Sequence, residues 1–391
     1  MSSRLSTIIL CALAMIVEGF DTYAIGYAGQ TIAREWHLSQ SVIGDLYAVG
    51  VAASLLGSVI FGMLADRFGR KGLLILSSII FGISTLLSAV APSLPLLILS
   101  RALAGIGLGA SVPCAMALAT EAASEHRRSS VPVLLSSAIG SGSLVASLAS
   151  AAIMPSYGWR GLFVLGGLMP LLIAAAMPRL MGESTALPRN PAARVPWHEM
   201  LGRDMALLTI MVTLALFAAY VVEFFMGFWL PSLVRTATTD VRTIGLAMTA
   251  IKTASLAGGL VMAGAAVKFG LRRTLPIAFI LAGIATATLI GKYDSLLGIT
   301  TSLAAASFFI DGSFGGIIGL GAIVFPSRLR ATGIGLTIGV GRLFGGTLGP
   351  MAGGVLIDQG LSLRGIGMAC SVPLLLSALL VWLTARMKTA N

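Results

Sequence analysis

Charge is scarce in this sequence. Only 10% of its 391 residues are charged, 15 acidic against 26 basic, while 57% are hydrophobic and the mean hydropathy is +0.95. So few ions cannot clothe a water-facing surface of this size, so a soluble globular protein is excluded and lipid must be the solvent. Cysteine is scarcer still: Cys11, Cys114 and Cys370 each sit alone in an apolar run, at no disulfide or metal spacing, and read as small core hydrophobes. His37, His126 and His198 fall far apart between apolar runs, which leaves no nucleophile–base pair and no metal cluster. A Gly-x-x-x-x-Gly-Lys-Ser/Thr loop is also missing. An enzyme, a bound cofactor and a nucleotide-driven machine are therefore not expected.

What the sequence has in abundance is apolar runs of about 20 residues, the length that crosses about 30 Å of hydrocarbon at 1.5 Å per residue. A membrane barrel would show shorter, alternating segments. The runs predict an all-α membrane protein with spans at 5–29, 41–65, 72–91, 95–120, 131–154, 160–178, 205–231, 242–267, 274–291, 295–321, 331–357 and 365–386. The first run contains Glu18 and Asp21 and is too long for a signal peptide, so it is expected to stay as the first helix. Residues 181–203 carry Pro188, Pro191 and Pro196 among charges and read as a linker between an N-terminal bundle (1–180) and a C-terminal bundle (204–391).

The net charge of +11 does not form a nucleic-acid patch. Basic residues crowd the alternate loops, with Arg4, Arg67, Arg70, Lys71, Arg127, Arg128, Arg179, Lys268, Arg272, Arg273, Arg328 and Arg386 on one side, and few such as Arg34, Arg160 and Lys292 on the other. The positive-inside rule makes the first side the cytoplasm, with both termini there, as in a multi-pass protein of a bacterial inner membrane.

Ionisable groups inside the spans are the functional candidates, because a charge in hydrocarbon must pair or meet water. In the first span Glu18 and Asp21 lie three apart on one helix face, and both cannot stay ionised there without a cation or water. Either a salt bridge to Arg101, Lys252 or Arg342 or a proton-carrying role follows. Arg101 opens a strip with Gly105 and Gly109 at four-residue spacing, along which a helix or a ligand can approach closely. Arg101 snorkels to the interface or serves as a cation in the proton or anion path. Glu223, Lys252, Asp311 and Arg342 lie well inside spans of the second half. Tyr23 and Phe224, beside Asp21 and Glu223, can stack on a ring or simply pack.

The most specific pattern is the loop Gly62, Asp66, Arg67, Gly69, Arg70, Lys71, weakly echoed by Lys268, Gly270, Arg272 and Arg273 in the second half. It resembles the signature loop between helices 2 and 3 of the major facilitator superfamily. The resemblance implies the major facilitator fold, twelve transmembrane helices in two pseudo-symmetric six-helix bundles, and a gating latch of Gly62, Asp66, Arg67, Arg70 and Lys71 away from substrate. Within that superfamily, Glu18-Gly19-Phe20-Asp21 is similar to the Asp-Gly-Phe-Asp run of the aromatic acid/proton symporters. Phe228-Trp229-Leu230-Pro231, Phe325-Pro326, Arg328, Arg330, Thr332-Gly333, Gly341-Arg342 and Gly349-Pro350 agree with that family as well. The likeness implies a monomer in membrane lipid that takes up a small organic anion, a benzoate-type aromatic carboxylate, with protons. Asp21, Glu18, Glu223 and Asp311 would couple protons; Arg101, Lys252, Arg342, Tyr23 and Phe224 would bind substrate. A proton/drug antiporter and a non-transporting sensor are the alternatives. The fifth span lacks the internal Gly-Pro run usual in facilitator antiporters, which disfavours the former.

Overall fold

The computed structural model describes the backbone of residues 3–125, 128, 131–182, 200, 202, 205–326 and 329–387. The side chains of 3, 62, 63, 65–68, 132, 133, 318, 322, 323, 330, 331 and 385 lie outside the described set. Among the described residues there are eleven helices: α1 (Ser3–Glu35), α2 (Gln40–Phe68), α3 (Arg70–Ala89), α4 (Leu94–Ala122), α5 (Val131–Leu180), α6 (Ala206–Val234), α7 (Val241–Phe269), α8 (Leu271–Leu289), α9 (Leu296–Val324), α10 (Arg330–Asp358) and α11 (Leu363–Arg386). All eleven are long and apolar enough to cross a membrane.

The helix α5 accounts for the difference from twelve predicted spans. Its 50 residues would reach far beyond a bilayer if straight, but Gly158 interrupts it with φ 64° and ψ −167°. Only glycine takes that conformation without strain. The fifth and sixth predicted spans are thus the two arms of α5, and the loop expected at 155–159 is a kink. Glu35 at the end of α1 fastens this kink. Its carboxylate accepts from Trp159 Nε1 at 2.7 Å and from Arg160 Nη1 at 2.8 Å, and Arg160 lies 4.2 Å over the Trp159 ring.

The chain divides into two units. One comprises Met1–Leu38, Val49–Asn190 and Asp240–Leu246; the other comprises Ser39–Ala48, Pro191–Thr239 and Ala247–Asn391. In the first, α1 packs on α4 and α5, and α3 on α4 and α5. In the second, α6 packs on α9, α10 and α11, and α8 on α9 and α11. The same pairing plan recurs once the two arms of α5 are matched to α10 and α11, which is what a duplicated six-helix unit requires.

Glycine makes the close crossings. A Cβ on Gly142 would stand 2.1 Å from the Ile16 carbonyl oxygen, and one on Gly345 would stand 2.5 Å from that of Phe217, so α5 meets α1 and α10 meets α6 backbone to backbone. The Gly105–Gly109 strip is likewise a helix seam: its glycines face Gly50 and Ser54 of α2, which leaves it as packing and not as a ligand path. In the second unit the first turn of α2 is seated on α10. Asp358 accepts from the backbone N–H of Gln40 (2.9 Å) and Ser41 (2.8 Å) and from the Ser41 hydroxyl. The three cysteines are all buried.

Candidate functional site

Two sets of intramembrane charges emerge, one in each unit. In the first, the α1–α5 glycine crossing carries α1 into the middle of the unit and turns Asp21 inward, where it is fully buried. Arg101 of α4 is 4% exposed and meets it end-on: Nη1 donates to Oδ1 at 3.0 Å and Nη2 to Oδ2 at 2.5 Å. Thr85 of α3 adds a third donor at 3.0 Å. The Arg101 guanidinium also lies 5.5 Å from the centre of the Phe163 ring on the second arm of α5. Of the three cations that could have answered Asp21, the structure selects Arg101, and it buries that arginine instead of letting it snorkel. A two-pronged, desolvated pair of this kind is strong only while both members keep their charge. Glu18 is buried one turn earlier on the same helix, and Tyr23 is half-buried one turn from Glu18.

The second set stands on α6, α7, α9 and α10. Glu223 and Lys252 are buried, and Glu223 lies within reach of both Asp311 and Lys252. Asp311, half-buried, accepts a 2.6 Å hydrogen bond from Ser255. Arg342, also half-buried, sits with its guanidinium 6.0 Å from the centre of the buried Phe224 ring. Phe224 belongs to an aromatic chain: Tyr220 at 5.9 Å, Phe228 at 5.9 Å, and Phe314 4.9 Å from Tyr220 in an edge-to-face contact. Glu223, Lys252 and Asp311 thus lie together within this unit, and Phe224 is a neighbour of Arg342.

Of the predicted latch residues, Gly62, Asp66 and Arg67 have side chains outside the described set. Arg70 pairs with Glu121 at the end of α4, and Lys71 donates to the Met181 carbonyl at 2.8 Å, so both brace the first unit from within.

Thr85, Phe163 and Ser255 contact the candidate residues Asp21, Arg101 and Asp311, and sequence reasoning missed them. The available signal was weak: a hydroxyl in an apolar span usually bonds its own helix backbone, as Ser77, Ser78 and Ser88 do in α3.

Comparison with known proteins agrees with this architecture. The profile of the Major Facilitator Superfamily matches residues 11–238. The chain is 31% identical to the 3-(3-hydroxy-phenyl)propionate transporter of Escherichia coli (strain K12), over 96% of this chain and 93% of that one. It is 26% identical to a 4-hydroxybenzoate transporter of Pseudomonas putida, over 94% and 89% of the two chains. The crystal structure of a D-xylose-proton symporter superposes with a TM-score of 0.79 at 17% identity, covering 100% of this chain and 98% of that one.

Proposed function

As the chain belongs to the major facilitator superfamily, a superfamily of membrane transporters, we propose that it takes up a small aromatic carboxylate together with protons. It would do so across a bacterial inner membrane, with both termini in the cytoplasm. The near full-length likeness to transporters named for 3-(3-hydroxy-phenyl)propionate and 4-hydroxybenzoate supports the substrate class.

The observation that carries the proton-coupled reading is the dry ion pair of Asp21 and Arg101. Closed, the pair is neutral. A proton on Asp21, shared with Glu18 one turn away, removes the negative partner and leaves a cation in a region of low polarity. An incoming carboxylate returns the loaded protein to the charge of the empty one, so anion and proton are favoured together and each alone is opposed. Glu223 and Asp311 extend the proton-linked set into the second unit, and the Gly62–Lys71 loop governs the passage between the two access states.

Reconstitution of the purified full chain into proteoliposomes tests this with labelled 4-hydroxybenzoate. An inward proton gradient should drive accumulation above equilibrium, and a protonophore should abolish it. Asp21→Asn should keep exchange of internal for external substrate while losing accumulation. Uphill uptake that persists in Asp21→Asn removes Asp21 from the coupling. Substrate binding without any movement favours a sensor, and expulsion of lipophilic cations by the same gradient favours an antiporter.

A further inference from the structure

Three cations compete for the substrate carboxylate, and their surroundings separate them. Arg101 already gives both of its terminal nitrogens to Asp21. Lys252 is buried beside the Glu223 carboxyl. Arg342 differs. No carboxylate among the described residues forms an ion pair with it, and its Nε is buried without a hydrogen-bond acceptor. A buried guanidinium N–H left without an acceptor costs free energy that a ligand oxygen can recover.

The position of Arg342 is built, not incidental. Gly341 and Gly345 flank it on α10 and bring that helix against the Leu216–Tyr220 segment of α6, where a Cβ on Gly341 would meet the Leu216 Cβ at 2.9 Å. The crossing leaves Arg342 beside Phe224 and within the field of Tyr220, and Tyr220 meets half-buried Phe314 edge-to-face. A planar cation and a set of aromatic faces thus stand together on one unit.

We propose that Arg342, Phe224, Tyr220 and Phe314 form the subsite for the aromatic monocarboxylate, with the carboxylate on Arg342 and the ring against the aromatic side chains. The inference rests on the transport reading above and deepens it by choosing among its cations. Arg342 offers Nε and one Nη as a fork that fits two carboxylate oxygens, a geometry that lysine lacks. Arg342 is the one cation among these four residues, so nothing in the set answers a second carboxylate. The subsite therefore takes monocarboxylates and rejects aromatic dicarboxylates.

Equilibrium binding to the purified full chain in detergent tests the assignment, with 4-hydroxybenzoate, the neutral 4-hydroxybenzamide and phthalate as probes. Wild type should prefer 4-hydroxybenzoate over both others. Arg342→Gln should weaken 4-hydroxybenzoate roughly 10- to 100-fold and leave 4-hydroxybenzamide unchanged, so that the preference for the acid disappears. Arg342→Lys should retain the preference at reduced affinity, which a merely structural role would not predict. Phe224→Leu should weaken both ring-bearing probes about 3- to 10-fold without changing the acid-to-amide ratio. An Arg342→Gln protein that keeps the acid preference, with loss of it in Arg101→Gln instead, overturns the subsite and leaves the functional reading standing. Wild type that binds no aromatic carboxylate overturns both. Tight phthalate binding by wild type overturns the single-cation subsite.

Discussion

Asp21 and Arg342 are each an ion inside hydrocarbon, yet the two units treat them in opposite ways. In the first unit the carboxylate is surrounded by donors from Arg101 and Thr85 and sees no solvent. In the second, the guanidinium remains half-buried beside aromatic rings, with an Nε that no protein atom among the described residues accepts from. The duplicated plan of helix packing therefore carries divergent electrostatics: one unit has closed its charges on themselves and the other holds one ready. Under the proposed function, the closed pair would take the proton and the open guanidinium the anion, so that the two would not compete for one residue.

The comparison breaks most sharply at the closed pair. Asp21→Asn should strand the Arg101 charge and destabilise the protein by about 3–5 kcal/mol, read as a fall in the melting temperature in detergent. The double variant Asp21→Asn with Arg101→Gln should recover most of that loss while proton-driven accumulation stays abolished. If the single variant melts like wild type, the pair is not a buried ion pair at all.

A middle-sized effect should follow from widening the glycine crossings, which differ in what they carry. Gly142→Val in the first unit and Gly345→Val in the second each push a side chain into a helix backbone, at about 1–3 kcal/mol apiece. The first should also disturb proton coupling by shifting α1, and the second should disturb substrate affinity by shifting Arg342. Proteoliposome uptake and equilibrium binding separate the two; equal damage to both readouts in both variants erases the proposed division of labour.

The smallest effect is expected at Asp240, which precedes α7 and lies outside the spans. Its carboxyl is held below the usual aspartate range by hydrogen bonds from the Thr243 hydroxyl and backbone N–H, the latter at 2.9 Å. Because the folded value is depressed, this contribution is present above the unfolded aspartate value and is lost as pH falls through the folded one. Asp240→Asn should thus melt slightly below wild type at neutral pH, and the gap should close as pH falls through the acid range. A gap that widens with acid contradicts the capping role.

Much of this fold was legible because each bilayer crossing demands its own apolar run, and such runs announce themselves without any knowledge of their neighbours. The joint at Gly158 was less so, since the short stretch from Pro155 to Trp159 looks like a loop by composition, and only the backbone reveals that helix continues on both sides. The chemistry divided similarly. That Asp21 and Arg101 must find partners follows from their depth, but their partnership joins positions 80 residues apart and depends on how α1 and α4 are rotated about their axes. Hydroxyl side chains such as Thr85 and Ser255 were harder still, because an apolar span tolerates many of them and only the tertiary fold shows which of them face a carboxylate on another helix.

The burial of Cys11, Cys114 and Cys370, at 0%, 5% and 6% exposure, has a practical reach of its own. A water-borne maleimide finds little to react with in the native chain. A single thiol introduced at an outward loop would then report on that position with almost no background, so the wild-type sequence itself can serve as the scaffold for site-specific labels.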